Sequence, residues 1–513
     1  MVFSQNGIFD DMATPAASVP PTAPQIAAPV IVWFRDDLRI SDNPALNEAV
    51  ETGRPVICVY IRDEHSPDLR APGAATRWWL AGSLRALSRT LTERGNTLIL
   101  RTGKGSEIVP GLARLVGAAA VHWNRRYDAG GLAVDDTVAK ALAARNIPVR
   151  TFQASLLYEP RSVRTMAGRP YTVFTPFWRQ VRSLDMPRAP LPAPARITSS
   201  PQTNGLVTDR IEDWHLEPTR PDWAGGLRKA WTPGEAGARA RTEQFLTHGL
   251  PGYAKLRDRP DLRHTSRLSP HLKFGEISPF QLWHAARLAI TSSRGGTRPD
   301  AADLEKFLTE LGWREFSYHL LHHHPKLHSD NYQRQFDRFP WKDDSAALTA
   351  WQTGSTGYPI VDAGMRELWT TGWMHNRVRM LVASFLVKHL LVDWRIGEAW
   401  FWDTLVDADI ANNPSGWQWV AGSGADAAPY FRIFNPVLQG EAFDPEGDYV
   451  RAWVPELAQM PREFVHEPWR APAMTLRTAG ITIGKTYPEP AVDHRAARDW
   501  ALAAFAALKP AVA

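Results

Sequence analysis

The stretch Val30–Phe34, VIVWF, is an unbroken apolar run of strand length, and with four similar runs downstream it decides the fold. Those runs are Pro55–Ile61 (PVICVYI), Thr97–Arg101 (TLILR), Ala119–Trp123 (AAVHW) and Val149–Phe152 (VRTF). Short apolar runs rich in β-branched residues, without polar alternation, read as strands buried on both faces. Helix-period stretches lie between several of them, at Thr76–Glu93, Ser106–Val116 and Leu132–Arg145. Strand and helix in alternation predict an α/β N-terminal domain with a five-stranded parallel, doubly wound sheet. No G-x-G-x-x-G follows the first strand, which argues against the usual phosphate-cradling dinucleotide turn there.

Outward from this core the pattern changes in both directions. Residues 1–28 are rich in Pro, Ala and small polar side chains and are expected to be disordered. Residues 186–235 carry many prolines and little periodicity. From about 236 no comparable strand series follows, and 242–248, 279–292, 301–323, 360–371, 373–391, 396–406 and 494–508 have helical patterns. The expected division is a tail over 1–28, an α/β domain over 29–160, a long linker over 161–235 and an all-helical domain over 236–510.

Composition narrows the function classes. Apolar residues make up 44% and charged residues 22% of 513, the balance of a globular protein with a large core. A single cysteine, Cys58, excludes a disulfide framework within the chain and a cysteine-ligated metal or iron–sulfur centre. The apolar stretch Val378–Trp394 is interrupted by Lys388, His389 and Asp393 and is too short and polar to span a bilayer. No charged-then-apolar leader pattern opens the chain, so a cytoplasmic location (the bacterial cytosol) is expected. The net charge of +5 permits a polyanionic partner without demanding one. The 22 tryptophans are a heavy load; most belong in a core, but some stand beside Asn, Asp, Arg and Glu.

Four segments carry chemistry. In TGWMHNRVRM (371–380), Asn376 and Met380 are four apart and share a helix face, while Arg377 and Arg379 supply positive charge suited to phosphate. A surface helix with two solvated arginines would show the same pattern. In TELGWREF (309–316), Glu310 lies one turn from Trp313 and Arg314. That is either a Glu–Arg pair beside a core tryptophan, or a stacking platform beside a carboxylate that could hold a base. In DADIANNPSGWQW (407–419), Asp407 and Asp409 offer acids but no third oxygen ligand, so no metal is expected; Pro414 and Gly416 predict a break after Asn413. In TSRLS (265–269), clustered hydroxyls with an arginine before a helix start suit either a helix cap or a phosphate. The run His322–His324 is read as structural, because adjacent helical residues point about 100° apart.

Taken together, these segments resemble the photolyase/cryptochrome family. VWFRDDLRISDNPAL (32–46) is similar to its opening, and TSRLSPHLKFGEIS (265–278) to its flavin phosphate loop. GYPIVDAGMRELWTTGWMHNRVRM (357–380) and DADIANNPSGWQWVAGSGADAAPYFRIFNP (407–436) resemble its flavin and substrate pocket. The resemblance implies FAD held in the helical domain. It assigns Tyr253, Thr265, Ser266, Arg267, Leu268, Ser269, Arg314, Asn376, Arg379, Asp407, Asp409 and Asn413 to the flavin, with Arg379 and Asp407 as an ion pair and Asn413 facing flavin N5. It assigns Glu310, Trp313, Asn376, Arg377, Met380 and Trp419 to the lesion pocket or the DNA beside it.

The activity implied is light-driven splitting of cyclobutane pyrimidine dimers, flipped out of single- or double-stranded UV-damaged DNA. Photoexcited FADH⁻ lends one electron, the ring opens, and the electron returns, while Glu310 steadies the charged dimer by hydrogen bonding. The alternative is a cryptochrome-type blue-light receptor without repair activity. Repair is preferred because (6-4) photolyases and animal cryptochromes carry histidines where Asn376 and Met380 stand. DASH-type members lack a methionine at 380, and plant and insect cryptochromes carry an acid or a cysteine at 413. The resemblance also implies a relay Trp417, Trp394, Trp341 that reloads the flavin with electrons from the surface, with Trp341 in the polar loop RFPWKDD. A second, antenna chromophore is expected, methenyltetrahydrofolate ahead of 8-hydroxy-5-deazaflavin, although WNRRYDAGGLAVDD (123–136) lacks the Asn-Glu of some folate-binding members. The protein is expected to act as a monomer.

Overall fold

A computed structural model describes residues 27–291, 298–430 and 432–508; the tail expected over 1–28 falls almost wholly outside them. The five strands are β1 (Val30–Phe34), β2 (Val56–Arg62), β3 (Leu98–Thr102), β4 (Ala120–Asn124) and β5 (Val149–Phe152). All pair in parallel in the order β3-β2-β1-β4-β5. The central strand is buried at every residue and the edge strand β5 is not, which is why VIVWF reads more clearly than VRTF. The crossovers contain α1 (Pro44–Glu51), α2 (Ala74–Glu93), α3 (Gly105–Leu115) and α4 (Ala129–Ala143). Apolar clusters lie on both sheet faces, as a doubly wound sheet requires.

The stretch read as linker is not featureless. It contains α5 (Phe174–Ser183), whose Phe177 and Trp178 are buried in the helical half. Helices then follow in order: α6 (Gly225–Ala230), α7 (Glu235–Gln244), α8 (Tyr253–Leu256), α9 (Ser269–Lys273), α10 (Pro279–Ala289), α11 (Ala301–His323), α12 (Ser345–Thr353) and α13 (Pro359–Thr371). The series ends with α14 (Asn376–Lys388), α15 (Trp394–Thr404), α16 (Asn412–Ala421), α17 (Pro436–Phe443), α18 (Asp448–Trp453), α19 (Ala473–Thr478) and α20 (His494–Ala506). Among the described residues, no helix is long and apolar enough to cross a membrane.

Three local readings need correction. The helix expected over 373–391 begins only at Asn376, because Gly372, at φ +67°, ends α13 and His375 caps α14. Its far end also falls short of 391: α14 stops at Lys388, and Trp394 opens α15 after a connector in which Leu391 takes φ +59°. No break follows Asn413. Asn412, Asn413 and Pro414 form the first turn of α16, where a missing proline N–H costs no helical bond.

The two halves are directly bonded. Leu38 N donates to Phe274 O (3.0 Å), and buried Arg39 donates to Gly275 O (2.8 Å). A bidentate pair of Arg70 and Glu398 joins them at a second point.

Candidate functional site

The side chains singled out in the sequence converge because α16 packs on both α11 and α14, and α8 packs on α11. Asp303 fixes the last contact. In the first turn of α11 its carboxylate accepts from Gly252 N and Ala254 N (both 2.9 Å), setting Tyr253 against Phe245 and Phe307. Trp313, nearly three turns further along α11, stacks on Phe174 at 3.7 Å and 9°.

Arginine–carboxylate pairs dominate the site. Arg379 donates from Nη2 to Asp407 Oδ2 (2.8 Å) and from Nε to Met374 O (2.8 Å). Glu310 pairs with Arg257, fifty-odd positions away in sequence, and lies 3.7 Å from Lys306; it does not pair with Arg314. Arg314 instead donates to Ser155 O (2.6 Å) and lies over the Tyr318 ring. Arg377 donates to Asp258 Oδ2 (2.7 Å) and lies over Phe443, so it is not simply solvated. Asn376 at the start of α14 is exposed, while Met380 and Trp419 are half-buried against the helical core.

The 265–269 loop is tied to this group through Trp373. Arg267, at φ +51°, sets its guanidinium over Trp373 (4.6 Å) and Trp231 (4.7 Å), and Trp373 Nε1 donates to Ser269 Oγ (3.4 Å). Burial pulls the Arg267 guanidinium down to about 10. Thr265 and Ser266 are half-buried, Ser266 Oγ accepts from Leu268 N (3.4 Å), and Leu268 is buried.

The two acids of DAD behave differently. Asp409 is fully engaged: Oδ1 accepts from Ala411 N (2.9 Å), Asn412 N (2.7 Å) and Asn412 Nδ2 (2.8 Å), and Oδ2 from Tyr318 Oη (2.7 Å). It holds the entry to α16. Asn413 donates from Nδ2 to Glu398 Oε1 (2.8 Å) and to Glu398 O (3.1 Å). Among the described residues, Asp407 Oδ1, His375 Nε2, Arg257 Nε, Arg267 Nε, Arg377 Nε and Trp417 Nε1 are buried with no hydrogen-bond partner.

His375 is the cap of α14. Its Nδ1 accepts from Arg377 N (3.2 Å), which requires an unprotonated nitrogen. Burial, ahead of smaller effects, pulls its imidazole down to about 4. The folded state therefore binds this proton less readily than the unfolded chain. The stability from neutral His375 is complete above about pH 6.5 and is lost as pH falls towards 4. Between about pH 6.5 and pH 5 this one group should cost about 2 kcal/mol. Thermal melting of His375→Asn, which keeps a capping side chain that cannot titrate, should show a flatter acid limb than wild type; parallel limbs would clear His375 of that role.

The three tryptophans of the expected relay lie in one helical core, with Trp417 and Trp394 buried and Trp341 half-buried. Trp417 packs edge-on to Phe401 (4.9 Å) and Trp351 (6.2 Å), and Gly397 leaves room for its ring where any Cβ would collide with it. Trp394 Nε1 donates to Asn331 Oδ1 (2.9 Å). Trp341 was expected to reach solvent from a polar loop; it is partly covered instead, with Phe339 at 4.3 Å.

Arg257, Asp258, Glu398 and Arg70 were not singled out in the sequence. Only Asp258 and Arg257 carry a hint, since they sit a few residues beyond Tyr253 in a charged run. Arg70 lies 328 positions from its partner and no local pattern could have found it.

Comparison with known proteins agrees with this geometry. The family model described as DNA photolyase matches residues 30–195, and that described as the FAD binding domain of DNA photolyase matches 307–507. A deoxyribodipyrimidine photo-lyase of Agrobacterium fabrum is 52% identical over 483 residues, 94% of this chain and 98% of the relative. Cryptochrome-1 of Arabidopsis thaliana is 39% identical over 90% of this chain and 68% of its own length. A crystal structure of a bacterial class III photolyase from Agrobacterium tumefaciens superposes with a TM-score of 0.90 at 50% identity, covering 96% of this chain and 99% of that one.

Proposed function

Since the chain belongs to the DNA photolyase/cryptochrome family, we propose that it is a flavin-dependent deoxyribodipyrimidine photo-lyase that splits cyclobutane pyrimidine dimers in UV-damaged DNA. The observation that carries the reading is the Arg379–Asp407 pair, joined through Trp373 to Arg267 of the 265–269 loop, inside a chain matched by an FAD-binding model and 52% identical to a deoxyribodipyrimidine photo-lyase. Reduced FAD, when bound, supplies a light-excitable one-electron donor. The protein supplies the rest. Arg267 brings positive charge to the 265–269 loop, where Thr265, Ser266, Leu268 and Ser269 would meet the phosphates and ribityl chain together with Tyr253. Arg379 and Asp407 hold opposite charges at a fixed separation for the flavin ring, with Arg314 and Asp409 bracing the wall behind. Asn413 addresses N5. Glu310 presents a carboxyl group to the flipped dimer, Trp313 a stacking face, and Asn376, Met380 and Trp419 complete the pocket. Trp417, Trp394 and Trp341 carry electrons inward to reload the flavin.

Repair stands ahead of light signalling because Asn376, Met380 and Asn413 are the residues that dimer repair asks for, and the (6-4) reaction needs a histidine where Asn376 or Met380 stands. The second chromophore is assigned as methenyltetrahydrofolate in preference to 8-hydroxy-5-deazaflavin. We place the protein in the bacterial cytosol as a monomer acting on single- or double-stranded DNA.

The test is an oligonucleotide carrying one cyclobutane dimer beside one carrying a (6-4) product, both under blue light with the protein. Loss of the first alone is expected. Repair of neither by flavin-loaded protein would favour the signalling reading.

Arg377 adds a second expectation. If it meets a phosphate beside the lesion, it shares its charge with Asp258. Arg377→Ala should weaken damaged-DNA binding and lower the slope of log affinity against log salt by about 1. Asp258→Asn should strengthen binding. Filter binding across a salt series reads both, and an unchanged slope in Arg377→Ala would confine the residue to its pair with Asp258.

A further inference from the structure

We propose that Arg70, on the α/β side of the seam, is a positioning residue that orients the amide of Asn413 towards the flavin; this rests on the flavoprotein reading above. Arg70 lies between β2 and α2, outside every segment assigned to cofactor or DNA. Its Nη1 donates to Glu398 Oε1 (2.6 Å) and its Nη2 to Glu398 Oε2 (2.8 Å). The same Oε1 accepts from Asn413 Nδ2 (2.8 Å), and the Glu398 carbonyl oxygen accepts from that nitrogen as well (3.1 Å). Three residues on two halves of the chain thus form one chain of charge-assisted bonds.

The guanidinium is held where it is. It lies 3.9 Å from the Trp402 ring centroid, and Trp402 Nε1 donates to Ala71 O (2.9 Å). Gly73 has no room for a Cβ against the Trp402 backbone, and Asp403 Oδ1 accepts from Ala74 N (2.9 Å) at the start of α2. The loop carrying Arg70 is therefore clamped to α15, and Arg70 is aimed along it at Glu398.

Chemistry then fixes the amide. The Glu398 side chain is 3% exposed, and the Arg70 fork holds both of its carboxylate oxygens. An ionised carboxylate accepts and never donates. Asn413 must therefore turn its NH₂ to Glu398, where two acceptors take both hydrogens, and its oxygen to the opposite side. An oxygen facing flavin N5 accepts from N5–H and so favours the reduced flavin. Without Arg70, the Glu398 carboxylate loses the fork that fixes its place, and only the Glu398 carbonyl oxygen is left to hold the amide NH₂. An inverted amide would offer N–H groups to N5 and favour the oxidised flavin.

The experiment uses the full flavin-loaded chain, reduced without air, and follows flavin absorbance in the dark after air is admitted, beside an anaerobic midpoint titration. Arg70→Met should reoxidise about fivefold to tenfold faster than wild type, with a more negative midpoint. Arg70→Lys, which keeps the charge but not the fork, should fall between them. In an Asn413→Leu background, Arg70→Met should add nothing. Asp403→Ala, which loosens the same seam without touching Glu398, should lower the melting temperature and leave reoxidation as in wild type. Wild-type reoxidation in Arg70→Met, or equal acceleration in Asp403→Ala, overturns the inference alone. A wild-type protein that binds no FAD overturns the flavoprotein reading, and this inference with it.

Discussion

Replacing Trp341 by Phe is expected to reduce light-driven reduction of the oxidised flavin about tenfold or more, while repair by chemically reduced protein stays within about twofold of wild type. The two activities move electrons in opposite directions. On the proposed relay, reloading would draw them inward from the surface through Trp341, Trp394 and Trp417, whereas repair would send one outward to the dimer. Phenylalanine keeps an aromatic ring beside Phe339, at the half-buried edge of the core, so the fold tolerates the change. It removes an indole that an oxidised neighbour can draw an electron from. Flavin absorbance under blue light with an external donor, read beside dimer loss under dithionite, separates the two. Normal photoreduction would remove Trp341 from the relay, and loss of both activities would show a disturbed flavin site.

Arg379→Leu should have the larger effect on cofactor. The side chain of Asp407 is 2% exposed, and Arg379 is its recorded ion-pair partner. Removing one member of such a pair leaves a buried charge without compensation, which costs about 3–5 kcal/mol. The expected result is FAD affinity weakened at least about hundredfold, with partial recovery in Arg379→Lys. Fluorescence titration of flavin-stripped protein with FAD measures it. Unchanged affinity would mean that the pair serves the helix packing of α14 alone.

Much of this architecture was legible from the chain because its signals are local. A fully buried strand such as VIVWF cannot tolerate polar alternation, and α11 announces its start with Asp300 and Asp303 at capping-box spacing. Errors arose where tertiary contacts override local preference. Pro414 and Gly416 read as a break, yet Asp409 gathers the N–H groups of Ala411 and Asn412 and starts α16 ahead of the proline. The helix expected from 373 begins at Asn376 because buried His375 caps it through a bond that no local pattern shows. The site was legible residue by residue, but its pairings were not: Glu310 with Arg257, Arg377 with Asp258 and Glu398 with Arg70 all link separate segments. Ion pairs between distant segments leave no period in a sequence.

The most direct test of the whole account is a repair reaction carried past one turnover. Protein reduced with dithionite under anaerobic conditions is mixed with a slight excess of oligonucleotide carrying one cyclobutane thymine dimer. One half is held in the dark and the other exposed to blue light, and intact thymines are counted by chromatography. The account predicts no dimer loss in the dark and loss beyond one equivalent in the light, because the electron returns and the protein turns over. Loss in the dark, or none in the light from protein shown to carry reduced FAD, would contradict it.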